Sequence, residues 1–386
     1  MKKKVLSVIV AIALCLSLAA CGGSNSGTTT TATAGTTAAD NKETQTTEAA
    51  GQEESIVTLT ASSSFSNMQL VGIFWEYFRD KLAETSGGSI ELDLYLGGTL
   101  GGPGEELSML QSGSIDIMMS FVGINAFSVP TMCPLLYFPN DMETAEEIVY
   151  NVCYENETSS PIIKDNLALY NATILPFFQI TSPEVWVTTK DITCWADLFS
   201  TKLGCVSDSG FSDMGYKNLV TINDTEWYES LRTGLVDTIT CCEADVVTER
   251  LYEVGKSYLT RPSYRADEWM LINTDKWNSL SADQQDALVK ACEETRQYAI
   301  DYQKDMAEQF ESIVKENDGK IIECTDEENA WYFHCADELS WDSMVVGLGG
   351  ATGYTDELQT VVDVTKEAFV SIAKFEFAQD IQPVSK

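Results

Sequence analysis

One histidine, eleven cysteines and 59 acidic side chains are the chemical means of this 386-residue chain. His334 stands alone, so a hydrolase triad or a histidine-rich metal site would hang on that one ring. It reads instead as a surface or packed residue. Cys241 and Cys242 are adjacent and lack metal-ligand spacing. No phosphate-binding glycine loop, nucleophile elbow or histidine-rich metal motif is present. Acidic residues are too numerous for any one pair to be specific. Nothing here assigns a catalytic residue, a metal or a cofactor. The chain reads as a non-enzyme whose chemistry is non-covalent binding.

Several residues could make such contacts. Ser62, Ser63 and Ser64 end the first strand, where hydroxyls either reach a cleft or cap the next helix. Phe121 ends the third strand and either stacks on a ligand or packs in a core. Trp186 sits in a later strand with the same choice. Asp224 opens a helix, as a ligand contact or an N-cap. Asp116 and Asp237 each follow a glycine-bearing turn and read as structural.

The elements that position these residues follow from periodicity. Ile56 to Ala61 alternates like a strand, and Leu70, Phe74, Tyr77, Phe78 and Leu82 form a helical stripe ended by Gly87-Gly88. Ile90 to Leu94 is a second strand. A glycine-rich turn leads to a helix with Leu107 and Leu110, stopped by Gly113, and Ile115 to Phe121 is a third strand. This β–α–β–α–β order predicts a parallel sheet wrapped by helices. Later strands are expected at Val185–Thr189, Lys202–Ser207, Val236–Thr240 and Trp269–Asn273, with a helix over Asp224–Gly234. Ser281 with Gln284 makes a capping box, and the apolar stripe beyond it predicts a helix near 35 residues, able to brace two lobes.

The N-terminus sets the compartment. Lys2, Lys3 and Lys4 precede an apolar run to Leu18, and Leu18-Ala19-Ala20-Cys21 reads as a lipoprotein cleavage site. Residues 1–20 are thus a signal peptide, Cys21 a lipid anchor, and 21–54 a disordered low-complexity stalk. The expected location is extracytoplasmic, on the outer face of the cytoplasmic membrane. Nine cysteines remain in the body, so one thiol stays unpaired unless a bridge forms between molecules. Without the signal, 21 basic side chains face 59 acidic ones, a charge of −38. That balance argues against nucleic acid or anionic lipid as a partner.

A run of short motifs resembles one family. Ser86-Gly87-Gly88-Ser89-Ile90-Glu91, Gly98-Thr99-Leu100-Gly101-Gly102 and Leu110-Gln111-Ser112-Gly113-Ser114-Ile115-Asp116 come first. Trp227 to Asp237, Tyr252 to Lys256 and Trp277 to Leu280 follow in order. Each is weak alone; their serial order over about residues 56–320 resembles the DctP-like solute-binding proteins of TRAP (tripartite ATP-independent periplasmic) transporters. The resemblance implies a two-lobed α/β fold of periplasmic-binding-protein type, with a hinge and the long helix as brace. Lobe I is expected over 55–180 and 268–315, lobe II over 181–267 and 316–386. It also implies a small-molecule solute between the lobes and an ion-gradient-driven permease as partner. The alternative is a binding lipoprotein serving an ABC importer or a chemoreceptor.

The resemblance fails at the expected acid clamp. The family grips a substrate carboxylate with arginine, whose planar fork suits it. That position is Gly204 here, a second arginine position falls on Glu184, and a later asparagine position falls on Cys241. Two like charges about 4 Å apart repel by roughly 4 kcal/mol at an effective dielectric near 20. That is about a thousandfold in affinity. The expected ligand is therefore neutral or cationic, with Glu184 as its polar anchor. Lys190, Lys202, Lys217, Arg232, Arg261 or Arg265 would have to supply any relocated clamp.

Overall fold

Alternation of apolar and polar residues builds the first half of the fold. Val57–Ser62 (β1) lies parallel to Ile90–Tyr95 (β2), with Val57 opposite Ile90. Between them Leu70–Thr85 (α1) buries Phe74, Trp75, Phe78 and Leu82 on one face. Glu106–Ser112 (α2) stops at Gly113, whose φ of 72° is the left-handed conformation that glycine adopts without strain. Ile117–Phe121 (β3) then pairs parallel to β1. The computed structural model describes residues 56–102, 104–121, 138–139, 141–205, 211–212, 214–261, 263–334, 341 and 344–377. The expected signal peptide, Cys21 and the stalk lie outside the described residues.

Two sheets organise the body. The first has the order β2-β1-β3-β10-β4, where β4 is Ala172–Ile180 and β10 is Ala266–Asn273. Strand β10 runs antiparallel to both neighbours, so this sheet is mixed. The second has the order β11-β9-β5-β8-β6-β7. These strands are Glu184–Thr188 (β5), Leu203–Cys205 (β6), Leu219–Thr221 (β7), Thr238–Cys242 (β8), Ser257–Arg261 (β9) and Lys320–Glu323 (β11). Each sheet has apolar clusters on both faces, so each is the centre of one lobe.

The chain crosses between the lobes at 181–183 and again at 263–265. The two crossovers are knitted together. The Thr181 N–H donates to the Arg265 carbonyl, and the Arg265 N–H donates to the Thr181 hydroxyl, both at 2.9 Å. Ala282–Glu316 (α3) is the long helix, 35 residues, opened by the Ser281 and Gln284 capping box. It packs against β4 of the first lobe and against Glu243–Thr248 (α4) of the second. From its middle, buried Gln303 donates to the Ile180 carbonyl at 2.5 Å and accepts from the Ser182 N–H at 3.1 Å. The brace thus grips the hinge itself.

The C-terminal stretch divides between lobes. Strand β11 and Asp326–Phe333 (α5) join the second sheet, with Trp331 and Tyr332 in its aromatic cluster. Thr355–Ser371 (α6) instead buries Leu358, Val361 and Phe369 in the first lobe's cluster. Its apolar stripe matches the face left by Ile148, Ile163 and Leu167 there.

Candidate ligand-binding site

The carboxyl end of β1 carries the first group of polar residues. Ser63 sits where its N–H donates to the Tyr95 carbonyl, and its hydroxyl accepts from the Phe65 N–H at 3.2 Å. Ser64 hydrogen-bonds the Glu106 carboxylate, which also accepts from the Gly104 N–H at 2.9 Å. Glu106 is only 2% exposed, and that burial pushes its carboxyl above the ordinary range. From the same loop, the Gln69 amide donates across the lobes to Glu249 Oε1 at 3.4 Å. Glu249 closes α4 in lobe II. Burial, then the neighbouring Asp245, pushes it to about 8, with Asp224 adding and the Gln69 hydrogen bond opposing. A serine-rich loop of lobe I is therefore bracketed by two acids, one from each lobe.

Asp224 contributes its charge to this group, although it is not the helix cap. Asn223 takes that role, in a capping box with Glu226, over a short 3₁₀ turn, Asp224–Glu226, that precedes the helix Trp227–Thr233. Phe121 closes β3 opposite Glu268. Its side chain is outside what the structure describes. Three buried polar atoms nearby in the chain path have no protein hydrogen-bond partner among the described residues: Ser62 Oγ, Gln179 Oε1 and Ser263 Oγ. They sit at the end of β1, near the end of β4 and in the second crossover.

The residues around Glu184 make a second group. Its Oε2 accepts from Arg261 at 2.8 Å, and its Oε1 accepts from the Thr240 hydroxyl at 2.8 Å and the Tyr332 hydroxyl at 3.2 Å. The Arg261 guanidinium lies 3.5 Å from the Tyr332 ring centre. Glu184 thus carries its counter-charge inside the protein.

Three other expected contacts lie within lobe II packing. Trp186 is fully buried, stacked on Tyr216 with 5.4 Å between ring centres and edged by Trp195 and Phe211. Cys241 faces the opposite side of the sheet among Val185, Val187 and Ile239, and burial pushes its thiol well up. Gly204 faces that same side. A Cβ there would be 2.5 Å from Ile222 Cδ1 and 3.0 Å from Val236 Cγ1. Side chains at 204 and 184 therefore point to opposite faces, as the strand registers require. Asp116 and Asp237 play matching structural parts. Asp116 accepts from the Thr60 N–H at 2.9 Å and meets Lys276, and Asp237 accepts from the Lys202 N–H at 3.0 Å and meets Lys190. Sequence reasoning missed Gln69, Glu106 and Glu249. The only signal for Glu106 was its place at a helix start after the glycine-rich turn.

A family model for bacterial extracellular solute-binding protein, family 7, matches residues 61–342. No curated protein matches the chain. Among solved structures, a TRAP periplasmic solute-binding protein from Ochrobactrum anthropi has a TM-score of 0.65 at 21% identity, over 84% of this chain and 100% of its own. Its C-terminus is bound in its ligand-binding pocket. A TRAP periplasmic solute-binding protein from Desulfovibrio salexigens, with bound orotic acid, has a TM-score of 0.67 at 16% identity, over 82% and 99%. A Bordetella pertussis extracytoplasmic solute receptor binding pyroglutamic acid has a TM-score of 0.67 at 16% identity, over 81% and 100%. At such identities the structural likeness speaks for the fold alone.

Proposed function

The chain belongs to bacterial extracellular solute-binding protein family 7, a family of receptors and not of enzymes, and from that premise we propose that it captures a neutral or cationic small molecule between its lobes and delivers it to a TRAP-type, ion-gradient-driven permease. In this reading it works outside the cytoplasmic membrane, held by lipid on Cys21.

The observation that carries the ligand class is the inter-lobe pair Gln69 and Glu249, with Glu106 buried on the other side of the same loop. An acid entering there would meet two carboxyl groups that burial pushes toward the neutral form, so neither supplies a counter-charge, and either one repels it when ionised. A cation would hold Glu249 in its ionised form and gain its attraction, and a polyol would use the Ser62, Ser63 and Ser64 hydroxyls. Two of the similar structures are of a receptor binding pyroglutamic acid and a protein with bound orotic acid. In this chain Arg261, at the end of β9, already faces Glu184.

The test is a ligand panel of amines, betaines, neutral polyols and aromatics beside simple acids, read by thermal shift. A true ligand at about 100 times its Kd stabilises by roughly 2.7 kcal/mol. An amine, betaine or polyol should give that shift and lose most of it in Glu249→Ala. Tight binding of a simple carboxylate, with no response to any cation or polyol, would sink the reading.

A further inference from the structure

Glu184 and Arg261 are the first and last residues of neighbouring antiparallel strands, directly opposite each other. Glu184 follows the crossover at 181–183, and Arg261 precedes the one at 263–265. The pair therefore stands at the edge of lobe II next to the hinge. Its side chains are 1% and 3% exposed.

Three elements converge on the Glu184 carboxylate. Strand β9 supplies the Arg261 guanidinium, β8 the Thr240 hydroxyl, and α5 the Tyr332 hydroxyl. The Tyr332 ring also lies against the guanidinium, which fixes its plane. One cation, two hydroxyl donors and an aromatic wall form a complete carboxylate receptor. A buried ion pair adds little net stability over an apolar pair of similar size. What it does determine is which charge can occupy the spot.

We propose that this is an anion receptor already filled by the protein's own carboxylate: Glu184 stands where a small monocarboxylate would otherwise bind Arg261, Thr240 and Tyr332, and so makes the hinge side of lobe II closed to acids. The inference rests on the neutral-or-cationic reading only for its consequence, the exclusion of acids. The receptor itself rests on the contacts above.

Removing the resident group tests this. Glu184→Ala should bind formate, acetate or propionate, read as a saturable rise in Tm of at least about 3 °C over equal ionic strength of chloride. Wild type should show no such rise, and the double variant Glu184→Ala/Arg261→Met should lose it. A folded Glu184→Ala that responds to no carboxylate beyond chloride, or a double variant that responds equally, overturns the proposal. Should Glu184→Ala not fold in chloride, refolding in acetate reads the same question: recovery is expected, and no recovery in any carboxylate overturns it. An acid that stabilises wild type through Arg261, losing its effect in Arg261→Met, also overturns it. Acid binding to wild type that survives Arg261→Met would count against the ligand reading above, while rescue of Glu184→Ala by acetate would still support the receptor.

Discussion

Burial sets the protonation of Glu249, and that can be read as stability. Its folded pKa of about 8 stands above the usual carboxyl value near 4.3. The neutral acid suits the site and the ion does not. The contribution is therefore fully present below about pH 4 and is lost as pH rises through 8. Glu249→Gln keeps a neutral partner for Gln69 and removes the ionisation. Its Tm should match wild type near pH 4 and exceed it at pH 9 by several degrees, the gap opening across pH 4 to 8. Each unit of raised pKa is worth about 1.4 kcal/mol, so a gap of roughly 2 kcal/mol or more is expected. Equal pH profiles for the two proteins would refute the assignment. Under the cationic reading a bound ligand holds Glu249 ionised, so wild-type affinity should rise toward pH 8 while the variant binds weakly at every pH.

At the scale of elements, Gly204 is explained by packing in β6. The strand needs a residue without a Cβ where Ile222 and Val236 close over it. Gly204→Ala should cost about 1–3 kcal/mol in urea unfolding, as overpacked cores do. Gly204→Arg should cost more and gain no acid binding, since its side chain would enter the core. A folded Gly204→Arg with new acid affinity would show the strand can turn that position toward the ligand. Element identities were legible in the sequence wherever one local signal decided them. Alternation revealed β1 and β2, and the buried run after Gly113 revealed β3. Left-handed glycines at 113 and 234 ended two helices, and the Ser281 capping box opened the brace. The facing of side chains was less legible. Counting positions put Gly204, Glu184 and Cys241 together, but strand register sends 204 and 241 to one face and 184 to the other. The decisive contacts are also remote: Arg261 and Glu184 are 77 residues apart, and Gln69 and Glu249 are 180. No local pattern encodes such pairs. Gln69 meets Glu249 only once the two lobes meet, and Glu184 meets Arg261 only once β5 and β9 pair.

The whole molecule carries its charge in one direction. A formal charge of −35, or −38 after the expected loss of residues 1–20, gives a field that repels anionic membrane surfaces. The same field favours approach of cations toward the loop between Glu106 and Glu249. No helix among the described residues is long and apolar enough to cross a membrane. Under the proposed function the attachment is a lipid on Cys21, and the chain's charge works against any electrostatic hold on the surface. An acyl anchor holds by burying methylene groups, and salt does not weaken that. An electrostatic attachment would loosen steeply with salt. Expressed with its own leader, the protein should therefore stay with membranes through a high-salt wash. Cys21→Ser should move to the soluble fraction at low and high salt alike. Retention of Cys21→Ser on membranes at low salt, or release of wild type by salt alone, would mean that something other than the lipid makes the attachment.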